Sequence, residues 1–271
     1  MFSIRKSTAR VAEFETLVWD VFFKSRNRGL SLIRHFPWLA SEHNLAYYMV
    51  VEIDGQVVGG LVVKKRLGCI HGHSVNIGLI GLVCITPAFR GRGLGTILMN
   101  KTLKQTASDD FDLLTLWAGD ASLYRKHQFV SSDIWTFGWV CENTVLTPKT
   151  GINPSMKLVE LPDASIPPFA LSTHEIVYAN SKVSLVLDAT GPIVTGYTGD
   201  ARGTALVMKK AFFGNWRINL EKGDVLLSEL NYLGYKVNLS PVNLQMWHRV
   251  NSSYPVSVLS ENLRIPVLER I

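Results

Sequence analysis

Residues 87–100 read PAFRGRGLGTILMN, and the reading of the whole chain turns on them. Three glycines (Gly91, Gly93, Gly95) and two arginines (Arg90, Arg92) stand directly before an amphipathic run. A helix start is ordinarily capped by an oxygen-bearing side chain such as Ser, Thr, Asp or Asn. Arg-Gly-Arg-Gly supplies none. It offers instead bare backbone N–H groups that a partner can approach closely, beside two guanidinium groups. At a helix start such N–H groups carry a partial positive charge, so the stretch is built to face an anion.

Spacing narrows the kind of anion. A Walker-type loop needs GxxxxGK followed by Ser or Thr, and no Lys follows these glycines. A dinucleotide fingerprint needs GxGxxG, but Gly91, Gly93 and Gly95 are spaced one residue too tightly, and no acidic ribose partner stands in the expected place. What remains is Arg90-x-x-Gly93-x-Gly95, after a strand and before a helix.

Working outward, the run VNIGLIGLVCITP reads as a buried strand leading into the motif, and GTILMNKTLKQTAS as the helix leaving it. Upstream, LAYYMVVEIDGQVVGGLVVKKRL forms two β-rich runs around Asp54-Gly55, a hairpin signal. FSIRKSTA is a first strand, RVAEFETLVWDVFF a helix, and LSLIRHFPWLA a shorter helix interrupted near Pro37. Downstream, DLLTLWA is a strand, ASLYRKHQ a short helix and IWTFGWVC a further strand. Strands alternating with helices after an antiparallel start give a mixed α/β sheet.

Five of the 11 prolines fall between Thr147 and Phe169, a crossing that neither a long helix nor a central strand tolerates. The expected boundary is near residue 165, giving domains 1–165 and 166–271, with MKLVEL as a possible last strand of the first. The second segment repeats the first in outline: KVSLVLDATGPIVTGYTGD, two strands around a turn; GTALVMKKAF, a helix; WRINL, a strand; DVLLSELNYLG, a helix; VNLQMWHRV, a closing strand. GTILM at 95–99 faces GTALVM at 203–208, which points to a duplicated half-domain; two unrelated α/β segments would share the same rhythm.

Composition excludes several classes. With 271 residues, 47% hydrophobic and 18% charged, the chain has the composition of a globular protein of one large or two modest domains. Its longest apolar run, Ile77 to Ile85, is too short to span a bilayer, and the N-terminal stretch lacks the apolar core of a secretory signal, so no membrane partner is expected. Three cysteines without CxxC spacing argue against a disulfide scaffold and place the protein in a reducing cytoplasm. The seven histidines and three cysteines show no metal-ligand spacing. Of the net charge of +6, residues 1–150 carry +5 (17 Lys and Arg against 12 Asp and Glu), which fits a polyanionic small ligand. No basic run with interleaved aromatics or zinc-finger spacing points to nucleic acid.

Some 30 residues past the glycines, after the next strand, stands LYRKHQFV. The order strand, R-x-x-G-x-G, helix, strand and then LY-x-x-x-x-F resembles the GNAT superfamily of acyl-CoA-dependent N-acyltransferases, over about residues 1–145. The resemblance implies a GNAT-like fold and acetyl-CoA, or another acyl-CoA, as co-substrate. It places the pyrophosphate on Arg90, Gly91, Arg92, Gly93, Leu94, Gly95 and Thr96. It runs the pantetheine arm beside Leu82, Val83, Cys84 and Ile85, in a gap where the next strand splays away. It makes Tyr124 the acid that protonates the leaving thiolate, a role suited to a phenol with an ordinary pKa near 10. A tyrosine packing the short helix on the sheet is the alternative. The chain departs from the family at Gln128, where Gly usually precedes the Phe, and at WAGDAS, which lacks an Asn common before the short helix.

The acceptor implied is a primary amine, which must be neutral to attack a thioester. Candidate bases are His73 (with His71) just before the binding strand and Glu52 on the hairpin, though exposed turn or strand residues would look the same. His35, Phe36 and Trp38 are candidate walls of an acceptor pocket or members of the core. The second copy lacks R-x-x-G-x-G and has Leu230 where Tyr124 stands, so it is expected to be a degenerate, structural or acceptor-shaping half. An acyl-CoA-binding sensor or scaffold without turnover is the competing function.

Overall fold

The structure is a computed structural model and describes residues 1–26, 29–41, 45–142, 151–252, 255–256, 258 and 262–271. In chain order its elements are β1 (Phe2–Ser7), α1 (Ala12–Val18), α2 (Leu32–His35), β2 (Ala46–Ile53), β3 (Gln56–Ile70), β4 (His73–Ile85), α3 (Leu94–Ser108), β5 (Leu113–Trp117), α4 (Ser122–Arg125) and β6 (Val130–Ser131). Next come β7 (Trp135–Glu142), β8 (Gly151–Ile152), β9 (Leu158–Glu160), β10 (Ser172–Tyr178), β11 (Ser181–Asp188), β12 (Gly191–Thr198), α5 (Ala201–Ala211), β13 (Phe212–Phe213), β14 (Trp216–Glu221), α6 (Leu226–Tyr232), β15 (Tyr235–Pro241) and β16 (Gln245–Arg249).

The chain divides into two units. The first holds Met1–Asp133, Leu244–Ile265 and Arg270–Ile271; the second holds Ile134–Asn243 and Pro266–Glu269. Each is built on one seven-stranded sheet, ordered β1-β2-β3-β4-β5-β16-β6 in the first and β15-β7-β14-β12-β11-β10-β9 in the second. The division falls at Asp133, not near residue 165 as the prolines imply. IWTFGWVC is β7 of the second sheet, paired with β14 and β15, and MKLVEL contributes β9 to that same sheet. The closing run VNLQMWHRV is β16, and it returns to the first sheet to pair with β5 and β6. A sequence pattern marks strands but carries no label for their partner, and β16 alternates as well against β5 as it would against a neighbour in its own half.

In the first unit the hairpin turns where Asp54-Gly55 predicts: both residues have positive φ (49° and 79°), the requirement of a tight two-residue connection. A second tight turn, His71-Gly72 (φ 48° and 82°), joins β3 to β4. The sheet buries both faces. On one, Tyr47, Met49, Leu61, Val63, Ile80 and Leu114 meet Leu94, Leu98 and Met99 of α3. The buried α3 residues Leu94, Leu98, Thr102 and Thr106 recur every four positions, a single inward stripe. On the other face Tyr48, Val50 and Val62 meet Phe14 and Val18 of α1, Leu32 of α2 and Phe36. Each such fully buried large side chain contributes about 1.5–3 kcal/mol of apolar burial.

Helix α1 is fixed by a polar contact as well. Glu15 accepts from Tyr48 Oη at 2.7 Å and from Arg10 at 2.5–2.9 Å. Burial alone would raise the Glu15 carboxyl, but the Arg10 and Tyr48 hydrogen bonds outweigh it and hold it below its ordinary value. Beyond Val18 the helix widens into a π turn, Trp19–Phe23. Such a turn carries one extra residue, so the side chains beyond it are rotated about the axis relative to a regular helix. The consequence is local: Phe23 is buried in the core while Val21 and Phe22 face a cleft.

Candidate functional site: a cleft between diverging strands

Strands β4 and β5 run parallel but pair only at Ile77–Leu113, Gly78–Leu114 and Leu79–Thr115. Beyond Leu79 both continue without pairing, so a V opens toward their C-terminal ends. Two features of β4 enforce the divergence. A bulge shifts its register against β3 between Gly60 and Val62, and Leu82 sits there at φ 54°, strained for a branched side chain. On that stretch of β4 the backbone groups facing the V are without a strand partner, which is the open end of a parallel sheet where ligands are commonly held.

The V is a cleft of about 510 Å³, within the range of small-molecule sites. Val83, Cys84 and Ile85 of β4 form one wall, and Tyr124, Lys126 and His127 in and just beyond α4 another. Phe89, Arg90, Gly91, Gly93, Leu94, Gly95, Thr96 and Met99 close its end, and Val21 and Phe22 of the π turn line it. Of the expected cofactor residues, all but Leu82 and Arg92 line this cleft.

The glycine stretch folds as its composition requires. Gly91 (φ 75°) and Gly93 (φ 76°) take left-handed conformations that other residues adopt only with strain. Gly93 is the N-cap of α3, and no side chain caps the helix. A Cβ placed on Gly93 or Gly95 would meet nothing within 4 Å. Gly95 lies within the helix, where alanine would be better by about 1 kcal/mol. The fold itself therefore has no use for glycine at 95; bare backbone there serves something that comes from outside. The first turn of α3 holds no acidic residue either. Arg90 and Arg92 are braced on loop carbonyls, Arg90 Nε on Ile85 O at 3.0 Å and Arg92 on Ala88 O at 3.2 Å, with the Arg92 guanidinium over Phe89.

Tyr124 points into the cleft from α4 and packs edge-on to Phe129, ring centroids 6.1 Å apart. Burial raises its pKa above 10, so the phenol holds its proton throughout the neutral range. Two side-chain contacts tie the chain after Tyr124 to α3: Lys126 Nζ donates to Thr96 Oγ1 at 2.8 Å, and His127 Nδ1 lies 2.9 Å from Asn100 Oδ1. Burial lowers the His127 pKa, with Lys126 and His248 adding to the effect, so the ring is neutral at pH 7. Cys84 is buried at the wall and its thiol is pushed up to about 12, which leaves it unreactive.

The expected bases are elsewhere. His73 is exposed at the start of β4, nine residues before Leu82 and so roughly 30 Å along the strand. His71 is in the β3–β4 turn. Glu52 is engaged by Arg5 at 2.7 Å and lines a separate hollow with Glu13, Asp20 and Asp54. His35 and Phe36 are core residues, His35 packed on Phe23 at 4.7 Å, and half-buried Trp38 packs against that same core. Sequence reasoning passed over Val21, Phe22, Lys126 and His127. The first two depend on a π turn that leaves no pattern, whereas Lys126 stood in plain view within LYRKHQF.

The second unit repeats the strand divergence with different side chains around it. β12 and β14 run parallel and pair only at Ile193–Arg217 and Val194–Ile218. Helix α5 is capped by Asp200, whose carboxylate accepts from Gly203 N at 2.7 Å. Tyr197 Oη donates to Asp224 Oδ1 at 2.6 Å, a bond from β12 to the residues preceding α6. Leu230, the counterpart of Tyr124, is fully buried.

Both units thus hold a mixed sheet split between two parallel strands, whereas the uncapped glycine helix start at the split belongs to the first alone. Residues 5–130 match the family model described as an acetyltransferase (GNAT) domain, a match confined to the first unit. An uncharacterized N-acetyltransferase of Archaeoglobus fulgidus is 33% identical over 98 residues, covering 36% of this chain and 65% of that protein. The chain thus spans just under two thirds of that curated relative. In fold, the chain is similar to a GCN5-related N-acetyltransferase from Anabaena variabilis (TM-score 0.63, 14% identity, 92% of this chain and 73% of that one). It is also similar to a tandem GNAT protein from the clavulanic acid biosynthesis pathway (TM-score 0.54, 14% identity, 94% of this chain and 100% of that one).

Proposed function

We propose that the first unit binds acetyl-CoA, or a related acyl-CoA, in the cleft between β4 and β5 and transfers the acyl group to a primary amine. The observation that carries this reading is the start of α3: uncapped, acid-free and bare at Gly93 and Gly95, with no packing reason for either glycine. Free N–H groups at the positive end of a 15-residue helix, flanked by Arg90 and Arg92, suit a diphosphate. The apolar wall of Val83, Ile85 and Met99 and the unpaired β4 backbone suit the pantetheine arm, which carries two amides able to pair as an added strand.

The thioester supplies the acyl group. The protein's part is to hold it, exclude water with Phe22, Phe89 and Leu123, and deliver a proton. Tyr124 donates that proton to the departing sulfur, since burial keeps the phenol protonated and the cleft lining includes it across from β4, and the proton released by the amine nitrogen as the amide forms restores the phenol. His73 and Glu52 take no part in this scheme because neither lines the cleft. The second unit is structural: its own Asp200 occupies the helix N-terminus where a phosphate would sit, and Tyr197–Asp224 bridges its gap.

Calorimetric titration of acetyl-CoA into the folded protein tests the reading. Micromolar binding is expected, followed by CoA release with members of an amine panel and loss of that release in Tyr124→Phe. Tight binding with no turnover on any amine would mark the chain as a sensor; no binding would remove the cofactor assignment.

A further inference from the structure

Lys126 is a cleft residue whose position works against the helix it touches. Its ammonium is 2.8 Å from Thr96 Oγ1, in the first turn of α3. A cation at the positive end of a helix is unfavourable by the same electrostatics that make an anion favourable there. The usual remedy is a neighbouring carboxylate, yet among the described residues none lies within ion-pair distance of Lys126, whereas Lys6, Lys24 and Lys182 each have one. The first turn of α3 supplies no acid. An exposed lysine free to swing into water has no need of such a place, but this one is tethered to it by a hydrogen bond. Of the three donors on the ammonium, Thr96 takes one and two remain.

We infer that Lys126 is a diphosphate ligand of the acyl-CoA, closing the cradle from the α4 side. The inference rests on the acyl-CoA reading of the cleft and adds to it a specific phosphate contact. Thr96 stands in the same turn as the free N–H groups just after Gly93, so the ammonium lies within about one 5.4 Å helical turn of them. That geometry assigns it to the diphosphate in the cradle and not to the ribose phosphate at the far end of the nucleotide. The anion would then be shared between the helix start and the lysine, each relieving the cost of the other.

The test measures binding of three probes, coenzyme A, 3′-dephospho-coenzyme A and S-acetylpantetheine, to wild type, Lys126→Met and Lys126→Arg. Lys126 is exposed, so neither change removes core packing, and a thermal melt of each variant checks the fold. Lys126→Met is expected to weaken coenzyme A and its dephospho form by the same factor, about tenfold or more for a charge-assisted contact. It should leave S-acetylpantetheine unchanged, and Lys126→Arg should restore most of the loss. Three results overturn the proposal: unchanged coenzyme A affinity in Lys126→Met; a loss confined to coenzyme A, which would move the lysine to the 3′-phosphate; or an equal loss for S-acetylpantetheine, which would make its role structural. A wild type that binds none of the three removes the acyl-CoA reading itself, and this proposal with it.

Discussion

Replacing Gly93 by Asp would introduce at the start of α3 the acidic group that the second unit already carries at α5. In the second unit the Asp200 carboxylate takes up Gly203 N at 2.7 Å. In the first unit the new Cβ enters open space, with nothing within 4 Å, so no clash arises. The backbone there is at φ 76°, and holding a non-glycine residue left-handed costs roughly 1–2 kcal/mol, with Asp at the low end. A loss of about 1 kcal/mol corresponds to a fall of about 2–4 °C in the melting midpoint for a protein of this size. Binding should suffer far more. A carboxylate about 5 Å from a diphosphate repels it by about 3 kcal/mol per pair of unit charges at an effective dielectric of about 20. Each charge-assisted N–H contact that the new side chain displaces adds about 1.5–3 kcal/mol. Together these give about 4–6 kcal/mol, or roughly 10³-fold or more in affinity at about 1.4 kcal/mol per decade. Titration calorimetry with acetyl-CoA, paired with a thermal melt, reads both quantities. A folded Gly93→Asp protein that binds acetyl-CoA within threefold of wild type would refute the placement of the diphosphate.

Four further outcomes are expected. Tyr124→Phe should lower kcat by about 10²–10⁴ while leaving acetyl-CoA affinity within a few-fold, as loss of a general acid does; an unchanged kcat removes the phenol from the chemistry. Glu15 has a folded pKa below its unfolded value of 4.5, so its contribution to stability is present above that pH and is lost as pH falls through the folded value. Glu15→Gln should therefore be less stable than wild type at pH 7 and flatter in stability between pH 5 and 3; parallel curves would show that the Arg10–Glu15–Tyr48 contact carries no linkage. Gly138→Ala puts a Cβ 1.9 Å from Asn238 O, between β7 and β15, and should cost roughly 1–3 kcal/mol or more, whereas Gly196→Ala meets nothing and should be near neutral; equal midpoints would contradict the β7–β15 pairing. A chain ending at residue 165 should fail to form a stable first unit, because it lacks β16 and leaves the β5 edge open; cooperative melting of that fragment with bound acetyl-CoA would show β16 to be dispensable.

Much of the first unit was legible because local chemistry dictates it. Asp54-Gly55 forces a hairpin, Pro37 breaks a helix, and glycines at 91, 93 and 95 leave a helix start bare whatever surrounds them. The order of these signals marked out the residues that line the cleft between β4 and β5. His73 falls outside the cleft for a reason of distance: it begins the strand that forms the cleft wall, but a strand advances about 3.3 Å per residue, and proximity in sequence becomes remoteness in space. Phe22 could not be read because a π turn depends on how α1 meets the sheet. The partner of β16 was illegible because alternation encodes a face and not a neighbour. The second half's lack of R-x-x-G-x-G was visible in the sequence; that Asp200 caps its helix α5 emerged only from the fold.

The course of the chain has a consequence for the order of synthesis. The first sheet needs β16, whose residues begin at 245, while the rest of that sheet is complete by Ser131. At about 5–20 residues per second, the intervening stretch takes a ribosome roughly 6–23 s to make. During that interval β5 waits beside a vacant lane, with Trp247 and Met246 not yet made to cover it. The first sheet is thus begun before the second and closed after it, and a nascent chain interrupted anywhere in the second half leaves the first sheet without β16.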